Sequence, residues 1–80
     1  MAEGFILMNV RPGSVGVVAG KVRQVAGVVS ADTVLGSYDL VVKVSVRHPE
    51  NITSVVLPAL QEIPDIEKTV TCLVEADGGR

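Results

Sequence analysis

Aromatic side chains are nearly missing from this 80-residue chain: Phe5 and Tyr38 stand alone, and there is no tryptophan. A sheet that recognises RNA by stacking its bases needs such rings, so that mode of recognition is excluded. No excess of positive charge compensates. Seven Lys and Arg stand against nine Asp and Glu, a net charge of −2, and the basic residues are scattered from Arg11 to Arg80. A free-standing DNA or RNA binder needs a basic footprint to neutralise phosphates, so direct contact with nucleic acid is not expected. One cysteine, Cys72, permits neither an intrachain disulfide nor a cysteine metal cluster. It lies in the apolar run Val70 to Val74 and reads as a buried, inert thiol. The single histidine, His48, precedes Pro49 with no nucleophile or carboxylate pair beside it, and reads as a surface imidazole, not a catalytic base. Glu62, Asp65 and Glu67 have the spacing of no metal loop and read as a solvated rim. No apolar run approaches the ~20 residues of a membrane-spanning helix. The start, Met1 to Met8, lacks the basic region and the apolar length of a signal peptide, so a cytoplasmic location is expected.

What the chain has in quantity is aliphatic. Hydrophobic residues make up 48% of it, mostly Val, Ile, Leu and Ala, and the mean hydropathy is +0.45. Its length gives one domain, residues 1–80, and such a domain buries only about 60% of its unfolded surface. That is more apolar surface than one small core hides, which points to burial between subunits.

The aliphatic residues are patterned. Phe5 to Val10 reads as a strand ended by the turn Arg11-Pro12-Gly13. Ser14 stands as a helix N-cap, and Val15, Val18, Val22 and Val25 then follow on one helical face, closed by Gly27. Gly16 and Gly20 weaken this helix by about 1 kcal/mol each relative to Ala; they either admit a close neighbour on their shared face or mark a poorly optimised helix. Val28 to Leu35 reads as a second strand and Tyr38 to Val46 as a third, with Gly36-Ser37 between them. In the third, Leu40, Val42, Val44 and Val46 point toward the helices, and Val41, Lys43, Ser45 and Arg47 away. Asn51 is placed to cap a second helix, whose apolar face is Ile52, Val55, Val56, Ala59, Leu60 and Ile63. Pro58 falls inside it and predicts a kink. After Pro64-Asp65, Ile66 to Glu75 reads as a fourth strand, and the tail from about residue 76 is expected to fray.

The order β-α-β-β-α-β predicts an α+β, ferredoxin-like fold: a four-stranded antiparallel sheet with two helices on one face and strands 1 and 3 central. The uncovered face is expected to carry Val41, Lys43, Thr69 and Thr71, and pairing it with a second copy would bury it across a two-fold axis.

One junction concentrates the polar chemistry. Gly36-Ser37-Tyr38-Asp39-Leu40-Val41-Val42 sets a glycine turn, an aromatic and a carboxylate at the mouth of an apolar strand. This string, with Val10-Arg11-Pro12-Gly13, Val28-Val29-Ser30-Ala31, Ile63-Pro64-Asp65-Ile66 and Thr69-Val70-Thr71, occurs in an order and spacing that resembles the effector-binding domain of the Lrp/AsnC feast-or-famine regulators (the RAM, or regulation of amino acid metabolism, domain). The resemblance runs from Phe5 to Val74. Two departures stand out: the family's usual Pro-Gly-Val before the last strand is Pro64-Asp65-Ile66 here, and Pro58 interrupts the second helix. The resemblance implies a dimeric α/β barrel, often in larger rings, that binds a free amino acid between subunits and needs no cofactor and no metal. The helix-turn-helix domain of the full-length regulators has no room in this chain, so it looks like a stand-alone effector domain, with a full-length regulator as an expected partner.

For the site, Gly36 and Ser37 lie where backbone amides can approach a ligand carboxylate, although a glycine there also serves a tight turn. Asp39 can pair with a ligand ammonium or cap the turn. Tyr38 can wall the pocket or pack at the dimer seam. Thr69 and Thr71 offer hydroxyls, or express ordinary strand propensity. No residue is expected to be catalytic. The reading is an amino-acid-sensing and oligomerisation module; the alternatives are a small monooxygenase- or isomerase-like enzyme on the related barrel fold, which fold alone does not exclude, and a purely structural assembly subunit.

Overall fold

The computed structural model describes residues 1–75, and the expected frayed tail lies outside the described residues. The strands are β1 (Ala2–Val10), β2 (Val28–Thr33), β3 (Leu40–Val46) and β4 (Ile66–Leu73), and they form one antiparallel sheet in the order β2-β3-β1-β4. Helix α1 (Val15–Val22) joins β1 to β2. A π-helical segment (Ile52–Val56) running into α2 (Leu57–Gln61) joins β3 to β4. This is the ferredoxin-like arrangement that the order of elements predicts, with β1 and β3 central. The sheet remains open in the single chain.

The core follows from the period of two along the strands. Ile6, Met8 and Val10 of β1 and Leu40, Val42 and Val44 of β3 are buried against Val18, Ala19 and Val22 of α1 and against Ile52, Val56 and Leu60. Each such aliphatic side chain contributes roughly 1.5–3 kcal/mol of transfer free energy. Val46 packs at the edge of the same cluster.

Several element ends depart from the sequence expectation. β1 begins at Ala2 because β3 pairs with it that far, Ala2 standing opposite Val46. β2 stops at Thr33 and β3 starts at Leu40, not at Leu35 and Tyr38; the chain leaves the ladder to form the loop between them. β4 ends at Leu73 instead of Glu75. Helix α1 ends at Val22, and the next residues tighten into bonds from the Gln24 amide to the Lys21 carbonyl and from Val25 to Val22. Val25 still packs on the core.

Neither expected helix cap forms. The Ser14 and Asn51 side chains make no cap hydrogen bond; Ser14 Oγ instead donates to Asp65 Oδ2 at 3.0 Å. Pro58 does not end its helix. A proline has no amide hydrogen and its ring crowds the carbonyl four residues back. The preceding turn widens, so that the Leu57 amide bonds to the Ile52 carbonyl five residues back.

The larger correction concerns β4. Met8 stands opposite Thr69, and Ile6 opposite Thr71. Directly paired residues share a face, so both threonines lie on the helix-bearing side with Ile6 and Met8. Gln61 Nε2 of α2 donates to Thr69 Oγ1 at 3.4 Å, in agreement. The uncovered face carries Phe5 and Leu7, Val41 and Lys43, and Val70 and Cys72, with Leu7 between Val41 and Val70 and Phe5 between Lys43 and Cys72. Cys72 is accordingly exposed in the single chain, not buried.

Gly16 and Gly20 meet nothing: a Cβ added at either finds no atom within 4 Å, so this is the poorly optimised helix and not a close approach within the chain. Gly27 is the opposite case. Its φ is +96°, and a Cβ there would stand 2.9 Å from Val56 Cγ2 and 3.3 Å from Val46 Cγ1. Gly27→Ala should therefore destabilise the fold by about 1–3 kcal/mol, whereas Gly20→Ala should stabilise it by roughly 0.5–1 kcal/mol. Urea unfolding of the two variants checks this; equal effects would contradict the assignment of the two glycines.

Candidate functional site

The chain leaves β2 at Thr33 and enters β3 at Leu40, and the loop between them is closed by the Val34 amide donating to the Asp39 carbonyl at 3.0 Å. It is fastened to β1 by three further bonds. The Asp39 amide donates to the Met8 carbonyl at 2.9 Å, the Val10 amide to Asp39 Oδ2 at 2.8 Å, and Asn9 Nδ2 to the Ser37 carbonyl at 2.9 Å. Asp39 thus prolongs the β1–β3 ladder: its side chain supplies the acceptor that the departing strand no longer provides. These bonds engage the loop's two end amides, of Val34 and Asp39, two of its carbonyls and one carboxylate oxygen. Among the described residues, the amides of residues 35–38 donate to no protein acceptor. Gly36, at φ +137° and with open space where a Cβ would be, allows this course.

The result is a run of free donors beside a carboxylate whose Oδ1 has no hydrogen-bond partner among the described residues. Next to it lies a cleft of about 340 Å³ walled by Val15, Thr33, Val34, Leu35 and Asp39. Such a constellation suits a small zwitterion: donors for an anionic group, a carboxylate for a cationic one. Among the described residues, no group of three His, Cys, Asp or Glu side chains is placed to hold a metal ion.

Gly36, Ser37, Tyr38 and Asp39 share this loop, and Asp39 alone among them lines the cleft. Thr69 and Thr71 do not join them within one chain. Leu40 pairs with Met8 and Met8 with Thr69, so β1 stands between, and two inter-strand spacings separate the groups by roughly 10 Å. The sequence reading missed Val15, Thr33, Val34 and Leu35 as cleft residues: Thr33, Val34 and Leu35 read as strand, and only the packing of α1 beside the end of β2 brings Val15 to the loop. It also missed Arg23, whose Nε and Nη2 donate to the Ala31 carbonyl at 3.2 and 2.7 Å and tie the end of α1 to the edge strand β2.

At the same end of the sheet, Asp65 takes a left-handed backbone, with φ +75°. Its carbonyl accepts the Arg11 amide at 2.8 Å, its Oδ2 accepts Ser14 Oγ, and its Oδ1 lies 3.6 Å from Arg11 Nη1. Asp is among the residues that tolerate a left-handed backbone, and its side chain joins the turn before β4 to the turn before α1.

The comparisons with known proteins bear on the family and the fold. The family described as Lrp/AsnC ligand binding domain matches residues 3–75. The chain belongs to this family. FFRP-DM1, known from a crystal structure, is 29% identical with a TM-score of 0.85, over 94% of this chain and 100% of that one. Escherichia coli AsnC superposes with a TM-score of 0.84 at 22% identity, over 96% of this chain and 52% of AsnC. A Neisseria meningitidis transcriptional regulator, solved as an L-Met complex, superposes with a TM-score of 0.79 at 18% identity, over 96% of this chain and 51% of that one. At such identities the last two show the shared fold, and this chain spans about half of each. No curated protein matches the sequence. Among the described residues no helix is long and apolar enough to cross a membrane.

The Asp65 position is testable. Asp65→Ala keeps the left-handed φ without a side chain suited to it and should destabilise the protein by about 1–3 kcal/mol. Asp65→Asn, which tolerates that φ and still accepts from Ser14, should stay within about 1 kcal/mol of wild type. Thermal melts that rank the two variants the other way would overturn this reading.

Proposed function

We propose that this domain senses a free amino acid held at the β2–β3 loop between copies of the chain, and passes the signal to full-length Lrp/AsnC regulators through mixed assembly. One observation carries the site: the amides of residues 35–38, without a protein acceptor among the described residues, belong to the loop whose Leu35 and Asp39 line a cleft. The amides near Gly36 and Ser37 hold the ligand carboxylate, Asp39 its ammonium, and Tyr38 walls the loop. Thr69 and Thr71, which lie on the helix-bearing side of the sheet, face away from the assembly face proposed below and are left out of this shell. The L-Met held by the Neisseria regulator, on the same fold, supports a ligand of this class. The test is calorimetry with the twenty amino acids on wild type and Asp39→Asn. The variant keeps an oxygen for the Val10 amide and loses the charge, so affinity should fall about tenfold or more, as expected for a lost charge-assisted bond of about 1.5–3 kcal/mol. Equal binding by both proteins would mean that Asp39 serves the ladder alone.

The copies meet through the uncovered sheet face. Val41, Leu7 and Val70 form one row across it and Lys43, Phe5 and Cys72 the next, while Phe5 keeps 37% of its surface exposed. Face-to-face pairing about a two-fold axis buries this apolar block and makes the dimer the smallest stable unit. Val41→Glu places a second carboxylate beside Asp32, at the edge of this block, and should dissociate or unfold the dimer. Sedimentation of a folded wild-type monomer at low concentration would sink the proposal.

A further inference from the structure

The walls of the loop cleft bear on which amino acids enter it. Its volume of about 340 Å³ lies near the lower end of small-molecule sites, which span about 300–1,000 Å³. Asp39 is its one charged wall among the described residues; the others are Val15, Thr33, Val34 and Leu35. Leu35 is fully exposed, at 103%, and Val34 is 37% exposed. A ligand whose ammonium faces Asp39 lays its side chain against these aliphatic groups, and covering them removes apolar surface from water. A side-chain carboxylate on the ligand would instead sit beside Asp39, a charge of the same sign. A side-chain ammonium would be desolvated without a second carboxylate to meet it.

We infer that the cleft selects α-amino acids with an aliphatic or thioether side chain, and that Val34 and Leu35 set this preference; the inference rests on the amino-acid reading above. Titration calorimetry of the full chain with leucine, methionine, lysine and glutamate tests it, on wild type, Leu35→Ser and Val34→Asp. Both positions are solvent-exposed, and circular dichroism checks that the variants fold. Leucine and methionine should bind at least about tenfold more tightly than lysine or glutamate, the scale on which an apolar pocket discriminates. Leu35→Ser should shrink that ratio, and Val34→Asp should move it toward lysine. A wild-type preference for lysine or glutamate, or a leucine preference unchanged in both variants, overturns the specificity and leaves the amino-acid reading standing. Binding of no amino acid overturns both.

Discussion

β1 is hydrogen-bonded along both edges, to β3 and to β4, so its alternation dictates the faces of both neighbours. With Met8 between Leu40 and Thr69, the side chains of Ile6, Met8 and Val10 go under the helices and those of Phe5 and Leu7 go outward. A slip of one residue would reverse every one of these assignments. The register is further held at Gly4, where an added Cβ would stand 3.0 Å from the Cys72 carbonyl oxygen and 3.1 Å from Ile52 Cδ1. The π-helical segment can lie this close to β1 because that position carries no side chain. Core, outer face and loop site all take their places from this one strand.

At the far end of β1 the same pairing shapes the loop. The ladder would stop at Met8 and Leu40, but Asp39 extends it by one backbone bond and one side-chain bond. The loop is thereby anchored through one donor and one acceptor of Asp39, and the amides of residues 35–38 are left without a protein acceptor among the described residues. The structural and the ligand-binding readings of Asp39 are not rivals, since a carboxylate has two oxygens and the Val10 amide engages one. A loop whose amides at residues 35–38 are open is suited to an anionic group, and the Asp39 carboxylate to a cationic one.

Much of this was legible in the sequence because β3 is written in strict alternation and the helices carry valine and isoleucine at helical spacing. Gly36 to Asp39 was legible as a loop, and Asp65 as a departure, from local residue chemistry. The face of β4 was not. Its two sets, Lys68, Val70 and Cys72 against Thr69 and Thr71, differ little in polarity, and β4 is an edge strand where threonines are tolerated beneath a short helix. Only the register with β1 decides between them. The caps failed for a related reason: Ser14 has a competing partner in Asp65, fifty-one residues away in sequence, and no local pattern announces a contact of that range. Pro58 was legible as a disturbance, but its resolution as a widened turn depends on the core contacts of Ile52, Val56 and Leu60 holding the helix together on both sides of it.

The proposed assembly face and the proposed site are adjacent along a single strand. Val41, at the β2 end of the outer apolar row, is two residues from Asp39, and the intervening Leu40 is fully buried. Anything that fixes the start of β3 from one side therefore limits its freedom on the other. Under the proposed function, a ligand that favours the assembled form is itself favoured by assembly, by the same factor in each direction, since linkage is reciprocal. On that proposal a small domain with a marginal core would gain a sensor's coupling without a moving lid: the strand end that completes its sheet would also be the strand end that meets both the partner and the ligand.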